Sequence, residues 1–233
     1  MLTDMELLAM LLAAIVHDVG HDGMNNNYHK NALTDRAIAY NDQSIQENYH
    51  LGVLFESMKT HADKIDVFAG CERVFYQKIR EMIIHLVLHT DMSKHFVALK
   101  EFKTLAEERG SSAEAWKGDM LPLMAHVLHS CDISNPAKPT SVATEWTDRC
   151  LREFFHQGDV EKGQGLPISA LCDRESTPVP DSQIGFIQFV VLPTYQALAT
   201  VLPQTRKFVQ QLNANLDYWE QKKAEENPDE TGG

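Results

Sequence analysis

The run AAIVHDVGHDG places His17, Asp18 and His21 within a few residues of one another. Imidazole and carboxylate together suit zinc, manganese or iron, while carboxylate with water suits magnesium. If a helix carries the run, His17 and His21 stand one turn apart on one face. Taken alone, an HD dipeptide reads more readily as a helix end whose polar residues cap or solvate it. A second run, HVLHSCDISNPAKP, holds Asp132, Ser134 and Asn135. Leu121, Met124, Val127 and Leu128 recur ahead of it at helical spacing, so Asp132 is expected to close a largely buried helix. The Asn135-Pro136 step then ends it, because proline disfavours a helical residue before it. A carboxylate buried there needs a partner: a metal shared with His17 and Asp18, a cap or a basic side chain.

The elements around these runs read as helix almost throughout. Apolar residues at three- and four-residue spacing predict helices near 4–18, 45–60, 72–89, 113–131, 140–157, 182–200 and 205–225. β-branched alternation is scarce, so an all-α fold is expected. Asp181 or Ser182 is expected to cap the helix bearing Gln183, and the glycine-containing stretch 157–167 to form a loop beside a pocket. Trp146, Phe155 and Phe189 are assigned to core packing. The apolar run Leu7 to Val16 is too short to cross a bilayer and has acidic flanks, so no membrane span is expected.

A chain of 233 residues is the size of one large domain, and its 43% hydrophobic content is ordinary for a globular one. Thirty-three acidic against 21 basic side chains give a net charge of −12, which argues against nucleic-acid binding. The same charge opposes an anionic substrate unless divalent cations offset it locally. Cys71, Cys131, Cys150 and Cys172 show no CxxC spacing, pointing to reduced thiols and a cytoplasmic protein. Residues 1–221 are read as one domain and 222–233, KKAEENPDETGG, as a disordered acidic tail.

HDVGHDGMNNNY, YNDQSIQENYH, HTDMSKH, HSCDISNPAKP, EWTDRCLREFFHQGD and SQIGFIQFVVLPTY follow one another in that order. Together they resemble the catalytic domain of the class I cyclic nucleotide phosphodiesterases, relatives of the HD metal-phosphohydrolases. GLPISALCDRES with SQIGFIQF is nearest in look to the calmodulin-stimulated branch. The resemblance implies a compact multi-helix domain that hydrolyses cyclic AMP, cyclic GMP or both to nucleoside 5′-monophosphates in signalling. It implies two divalent ions, zinc and magnesium with manganese as a substitute, and His17, Asp18 and Asp132 as metal ligands. His21 and Thr90 would orient the metal-bound waters, with His21 and Glu47 counted among the catalytic residues. Glu47 matches the glutamate that holds the general-acid histidine. Gln183 and Phe186 would bind the purine, with Asn135, Cys150, Phe154, Ile133 and Met92 around it. Any regulatory domains would lie outside this chain.

The family's YHNxxHAxDV block, with its general-acid and metal-binding histidines, is absent from this sequence. The chain therefore reads as a domain lacking its first helices, and Glu47 as a carboxylate without its partner. The other histidines are read as packing, capping or surface residues. This leaves a second expectation beside the enzyme: an impaired fragment or pseudoenzyme that still binds metal, nucleotide or a partner. A different HD phosphohydrolase fits His17, Asp18 and Asp132 but leaves SQIGF and ISNPAKP unexplained.

Overall fold

The structure is a computed structural model describing residues 2–226; within them it is helical, with no strand. Thirteen α-helices follow one another: α1 (Asp4–Val16), α2 (Asn26–Asn31), α3 (Asp35–Ala39), α4 (Ile45–Thr60), α5 (Ala62–Ile65), α6 (Arg73–Leu88), α7 (His95–Arg109), α8 (Ala113–Trp116), α9 (Leu121–Asp132), α10 (Thr140–Gln164), α11 (Val179–Phe186), α12 (Leu192–Val201) and α13 (Arg206–Glu226). The chain forms two compact units, Met1–Phe102 with Ala113–His129, and Lys103–Ser112 with Ser130–Gly233.

In the first unit, α1 opens with a capping box: the Glu6 amide donates to the Thr3 hydroxyl at 3.3 Å, and the Thr3 amide to the Glu6 carboxylate at 2.7 Å. Ala9 and Ala13 are fully buried on its inner face and small enough to admit α6 closely. From α6, Ile79, Ile83, Leu86 and Val87 fill the core with Leu51 and Met58 of α4 and Met124 and Leu128 of α9. Each such aliphatic side chain contributes about 1.5–3 kcal/mol on burial. Helix α7 lies outside the expected segments. Phe96 and Val97 stay exposed at its start, which blurs the apolar stripe formed by the buried Leu99, Phe102 and Ala106.

In the second unit, α10 is longer than expected. It continues to Gln164 and ends at Gly165, whose φ of 69° supplies the left-handed cap. The expected loop over 157–167 is thus mostly helix, because its residues are needed inside. Glu161, fully buried, accepts hydrogen bonds from the Gln157 amide (2.9 Å) and from the Ser169 amide and hydroxyl (2.7 and 2.6 Å). Gly158 lets the Cys172 backbone approach so closely that a Cβ there would sit 1.9 Å from the Cys172 carbonyl oxygen.

Helix α11 starts at Val179 after Pro178, so neither Asp181 nor Ser182 caps it; the Ser182 hydroxyl instead donates to the Val179 carbonyl at 2.8 Å. Between α11 and α12 a π-helical turn, Ile187–Val191, interrupts the α pattern. Pro193 accounts for it, having no N–H to give one turn back and a ring that crowds that carbonyl. The stretch Val179–Val201, 23 residues long with an 18-residue window of mean hydropathy 1.5, is long and apolar enough to cross a membrane. It lies against α13, burying Ile187, Val191, Tyr195 and Leu198. Trp146 and Phe189, assigned to the core, are instead 43% and 67% exposed. The tail expected to be disordered from Lys222 remains helical through Glu226, where Lys222 pairs with Glu225 at 2.7 Å. The rest of it lies outside the described residues. The break at Lys117–Met120, with Gly118 at φ 84°, divides the helix expected over 113–131 into α8 and α9.

Gly158→Ala should destabilise the fold by about 1–3 kcal/mol, the usual range for overpacking. A thermal melt should show it as a drop of roughly 2–4 °C per kcal/mol in a chain this long; an unchanged melting temperature would mean that α10 and the Cys172 segment are not in contact.

Candidate active-site cleft

A cleft of about 350 Å³ opens in the first unit, lined in part by Asp18, His21, Glu47, His50, Thr90, Asp91 and Met92. Helix α1 ends one residue before His17, so one helix face does not carry His17 and His21 as the spacing suggested. His17 is the cap, and the chain turns through Gly20 before reaching His21. Gly20 has φ 75°, and a Cβ there would approach Tyr49 to 3.1 Å, so the turn depends on glycine.

Three imidazoles are held in defined tautomers by backbone groups. His17 Nδ1 lies 2.9 Å from the Ala14 carbonyl, and His50 Nδ1 lies 2.8 Å from the Val19 carbonyl. A carbonyl only accepts, so both Nδ1 atoms carry the hydrogen, and in the neutral form of each ring Nε2 presents a lone pair. Those lone pairs face Asp18, at 3.5 Å from Oδ2 for His17 and 3.8 Å from Oδ1 for His50. His21 is reversed: the Gly23 amide donates to its Nδ1 at 3.0 Å, leaving Nε2–H as a donor. Its ring stacks on His50 with centroids 5.8 Å apart. Lone pairs turned toward a carboxylate repel it unless a cation lies between, so this donor set fits a divalent metal.

Glu47 projects from the first turn of α4 and is not without a partner. Asn26 donates from Nδ2 to Glu47 Oε2 at 3.0 Å, while Asn26 Oδ1 accepts the Gln46 amide at 2.9 Å. Burial pushes the Glu47 carboxyl up and the Asp91 charge adds to this, against the Asn26 amide and Lys94. Asp91 moves the other way. Burial alone would raise it, but hydrogen bonds from Ser44 (2.7 Å) and the Ser93 amide (2.9 Å), with Lys94 nearby, hold it low. Ser44, Asn41 and Asp42 all have positive φ, at 43°, 52° and 60°. Such conformations carry about 1–3 kcal/mol of strain each and persist only where neighbours enforce them, here through Ser44 and Asp91. Thr90 is buried and donates to the Val87 carbonyl at 2.8 Å.

Behind the cleft, Asp22 ties the loop to α2, α3 and α4. It accepts from Gln46 Nε2 at 2.8 Å and pairs with Arg36 at 3.1 Å and His29 at 3.3 Å. Burial opposes its ionisation, but Gln46, His29 and Arg36 outweigh that and lower it. His50, Asn26, Gln46 and Asp22 are thus site residues that the sequence reading passed over. The second His-Asp pair in HDVGHDG was the visible signal for Asp22; nothing local marked the others.

The remaining candidates lie in the second unit. Asp132 ends α9 and is partly exposed rather than buried, which removes the argument from burial. The Tyr195 hydroxyl donates to the Ser130 carbonyl at 2.8 Å and so fixes the turn before it. Ile133 is buried, and Asn135 starts a short 3₁₀ turn whose carbonyls are gripped from α13. Asn215, 1% exposed, donates to the carbonyls of Pro136 (2.7 Å) and Lys138 (2.8 Å) and accepts from Thr140 (2.7 Å). On α10, Thr147, Cys150 and Phe154 share one stripe at three- and four-residue spacing. Asn135 Nδ2 donates to Cys150 Sγ at 3.7 Å, and the Thr147 hydroxyl to Gln183 Oε1 at 3.1 Å, which brings α11 to that stripe. Burial, then Glu153, pushes the Cys150 thiol up, so it stays protonated and apolar. Phe186 follows Gln183 by one turn on α11. Thr147 and Asn215 were not anticipated, because each acts through a residue distant in sequence.

Residues 1–212 match the family model described as 3′5′-cyclic nucleotide phosphodiesterase. The chain belongs to that family. It is 44% identical over 193 residues to the probable 3′,5′-cyclic phosphodiesterase pde-1 of Caenorhabditis elegans, covering 83% of this chain and 28% of that protein. It is 41% identical over 202 residues to the bovine (Bos taurus) dual specificity calcium/calmodulin-dependent 3′,5′-cyclic nucleotide phosphodiesterase 1B, covering 86% and 36%. The crystal structure of the phosphodiesterase domain of the RhoPDE fusion protein from Salpingoeca rosetta aligns with a TM-score of 0.85 at 32% identity, over 94% of this chain and 69% of that one. The chain spans about a third of the length of these two sequence relatives.

Asn26→Ala should raise the Glu47 pKa further, since the amide favours the charged carboxylate. A carbon-detected NMR titration of the Glu47 carboxyl reads this directly; a fall would contradict the hydrogen bond.

Proposed function

We propose that this chain carries the catalytic chemistry for hydrolysing 3′,5′-cyclic nucleotides, cyclic AMP, cyclic GMP or both, to nucleoside 5′-monophosphates. The observation that supports this most is the Asp18 carboxylate facing two backbone-fixed imidazole lone pairs, in a chain of this family. Family membership implies dependence on divalent metal; zinc with magnesium is the pair proposed. His17, Asp18 and Asp132 are assigned as zinc ligands, with Asp18 reaching a magnesium ion as well. Held there, two divalent ions would supply an activated water and neutralise phosphoryl charge.

The chain's own residues then divide the work. His21 offers an Nε2–H donor to a water or a phosphoryl oxygen, because Gly23 occupies its Nδ1. Thr90 and Asp91 offer acceptors beside it, and Glu47, steadied by Asn26, offers another. These groups would orient the attacking water and hold its proton. The purine would stack on Phe186 and hydrogen-bond the Gln183 amide, which presents both donor and acceptor. Cys150, Phe154 and Ile133 would form apolar walls, with Asn135 at the polar edge and Met92 at the rim. All four cysteines are free thiols, which supports a reducing, cytoplasmic setting. Regulatory domains outside this chain would control the activity.

Hydrolysis of cyclic AMP and cyclic GMP by the purified chain tests the proposal. Asp132→Ala should lower kcat by about 10³-fold or more, the several kcal/mol a metal contributes. Activity that survives the substitution would exclude Asp132 from the metal site. Gln183→Ala should raise KM about tenfold with kcat little changed, the loss of one hydrogen bond used equally by substrate and transition state. An unchanged KM would take Gln183 out of base recognition.

A further inference from the structure

Away from the cleft, the carboxyl end of α6 carries a second set of imidazoles. His85 and His89 stand one turn apart on the same face, their rings stacked with centroids 5.7 Å and planes 24° apart. His85 is exposed and His89 half-buried. On the inner side, His129 meets His89 edge-on at 6.5 Å, and is itself joined to His95 by a 2.9 Å nitrogen–nitrogen hydrogen bond. None of these rings lines the cleft.

Two unprotonated imidazoles at this spacing can close on one ion without moving the backbone. Both rings are free bases at neutral pH. Burial, then Lys94, lowers His85; burial, His85 and Lys94 bring His89 down to about 4. Protons therefore compete for their lone pairs less than at an ordinary histidine. His89 caps α6, where the helix dipole is negative and favours a cation. Lys94 opposes one: its Nζ donates to the Leu88 carbonyl at 3.1 Å. Among the described residues no third His, Cys, Asp or Glu atom joins the pair, so water would complete the shell. Nitrogen ligands beside a fixed positive charge reject magnesium and calcium, which need oxygen, and leave metals that bind imidazole strongly.

We propose that His85 and His89 form a two-histidine site for a divalent transition metal, copper, nickel or zinc, separate from the cleft. The site stands whether or not the chain hydrolyses cyclic nucleotides.

Nickel titration by calorimetry, in excess magnesium, tests it on wild type, His85→Gln and His85→Gln/His89→Gln. Each variant should bind one nickel equivalent fewer than wild type, with circular dichroism melts confirming that they are folded. Lys94→Gln should tighten the same equivalent severalfold. On the wild-type chain, substoichiometric copper should broaden the His85 and His89 ring resonances in NMR before those of His61 or His156. Equal stoichiometry in all three chains, competition by magnesium for that equivalent, or broadening that spares His85 would each overturn the proposal.

Discussion

The arrangement of the cleft depends on two carbonyl groups. Ala14, in the last turn of α1, and Val19, in the turn beyond it, each take the Nδ1 hydrogen of an imidazole. This aims the Nε2 lone pairs of His17 and His50 at Asp18. Such an array is unfavourable in isolation and becomes favourable around a cation. The first unit is built to hold it. Ala9 and Ala13 let α1 lie against α6, Gly20 reverses the chain, and the buried His50 comes in on α4. An apolar helix end therefore carries a polar constellation whose donor set could hold a cation.

The acidic character of the chain takes a different form at each carboxylate. Asp22 is neutralised by Arg36, which also lies 3.6 Å above the Tyr49 ring. Asp91 is held ionised by hydroxyl and amide donors, and Glu47 has chiefly one amide to set against its desolvation. The cleft thus grades from a firmly ionised carboxylate to one more easily protonated, within a net charge of −12. That gradation suits a site in which one acid stays charged and another exchanges a proton.

Much of this was readable in the sequence, because short motifs record local chemistry. HDVGHDG marked His17, Asp18 and His21, and the helical spacing of apolar residues marked α1, α4, α6 and the all-α fold. Family resemblance, rather than pattern, pointed to Glu47, Gln183 and Asn135. What escaped was whatever depends on residues distant in sequence. His50 looked like one more packing histidine until Val19 was seen beneath it. Asn26 and Asn215 are ordinary asparagines until both ends of each amide are seen to be engaged. The 157–167 stretch was misread because its glycines suggested a loop. Gly158 instead admits Cys172, and Glu161 next to it needs burial to meet Ser169. The π turn after Phe186 followed from Pro193, whose effect falls one helical turn upstream.

The central claim is that the His17 and His50 rings are fixed as Nδ1–H tautomers around a cation. Long-range proton–nitrogen NMR of the histidine rings, on chelator-stripped and then zinc-loaded protein, tests it most directly. The account predicts Nδ1–H signals for both rings in the stripped chain and a displacement of the His17 Nε2 resonance when zinc is added, with His21 remaining Nε2–H. Nε2–H tautomers at His17 and His50, or a His17 ring that zinc leaves unchanged, would contradict it.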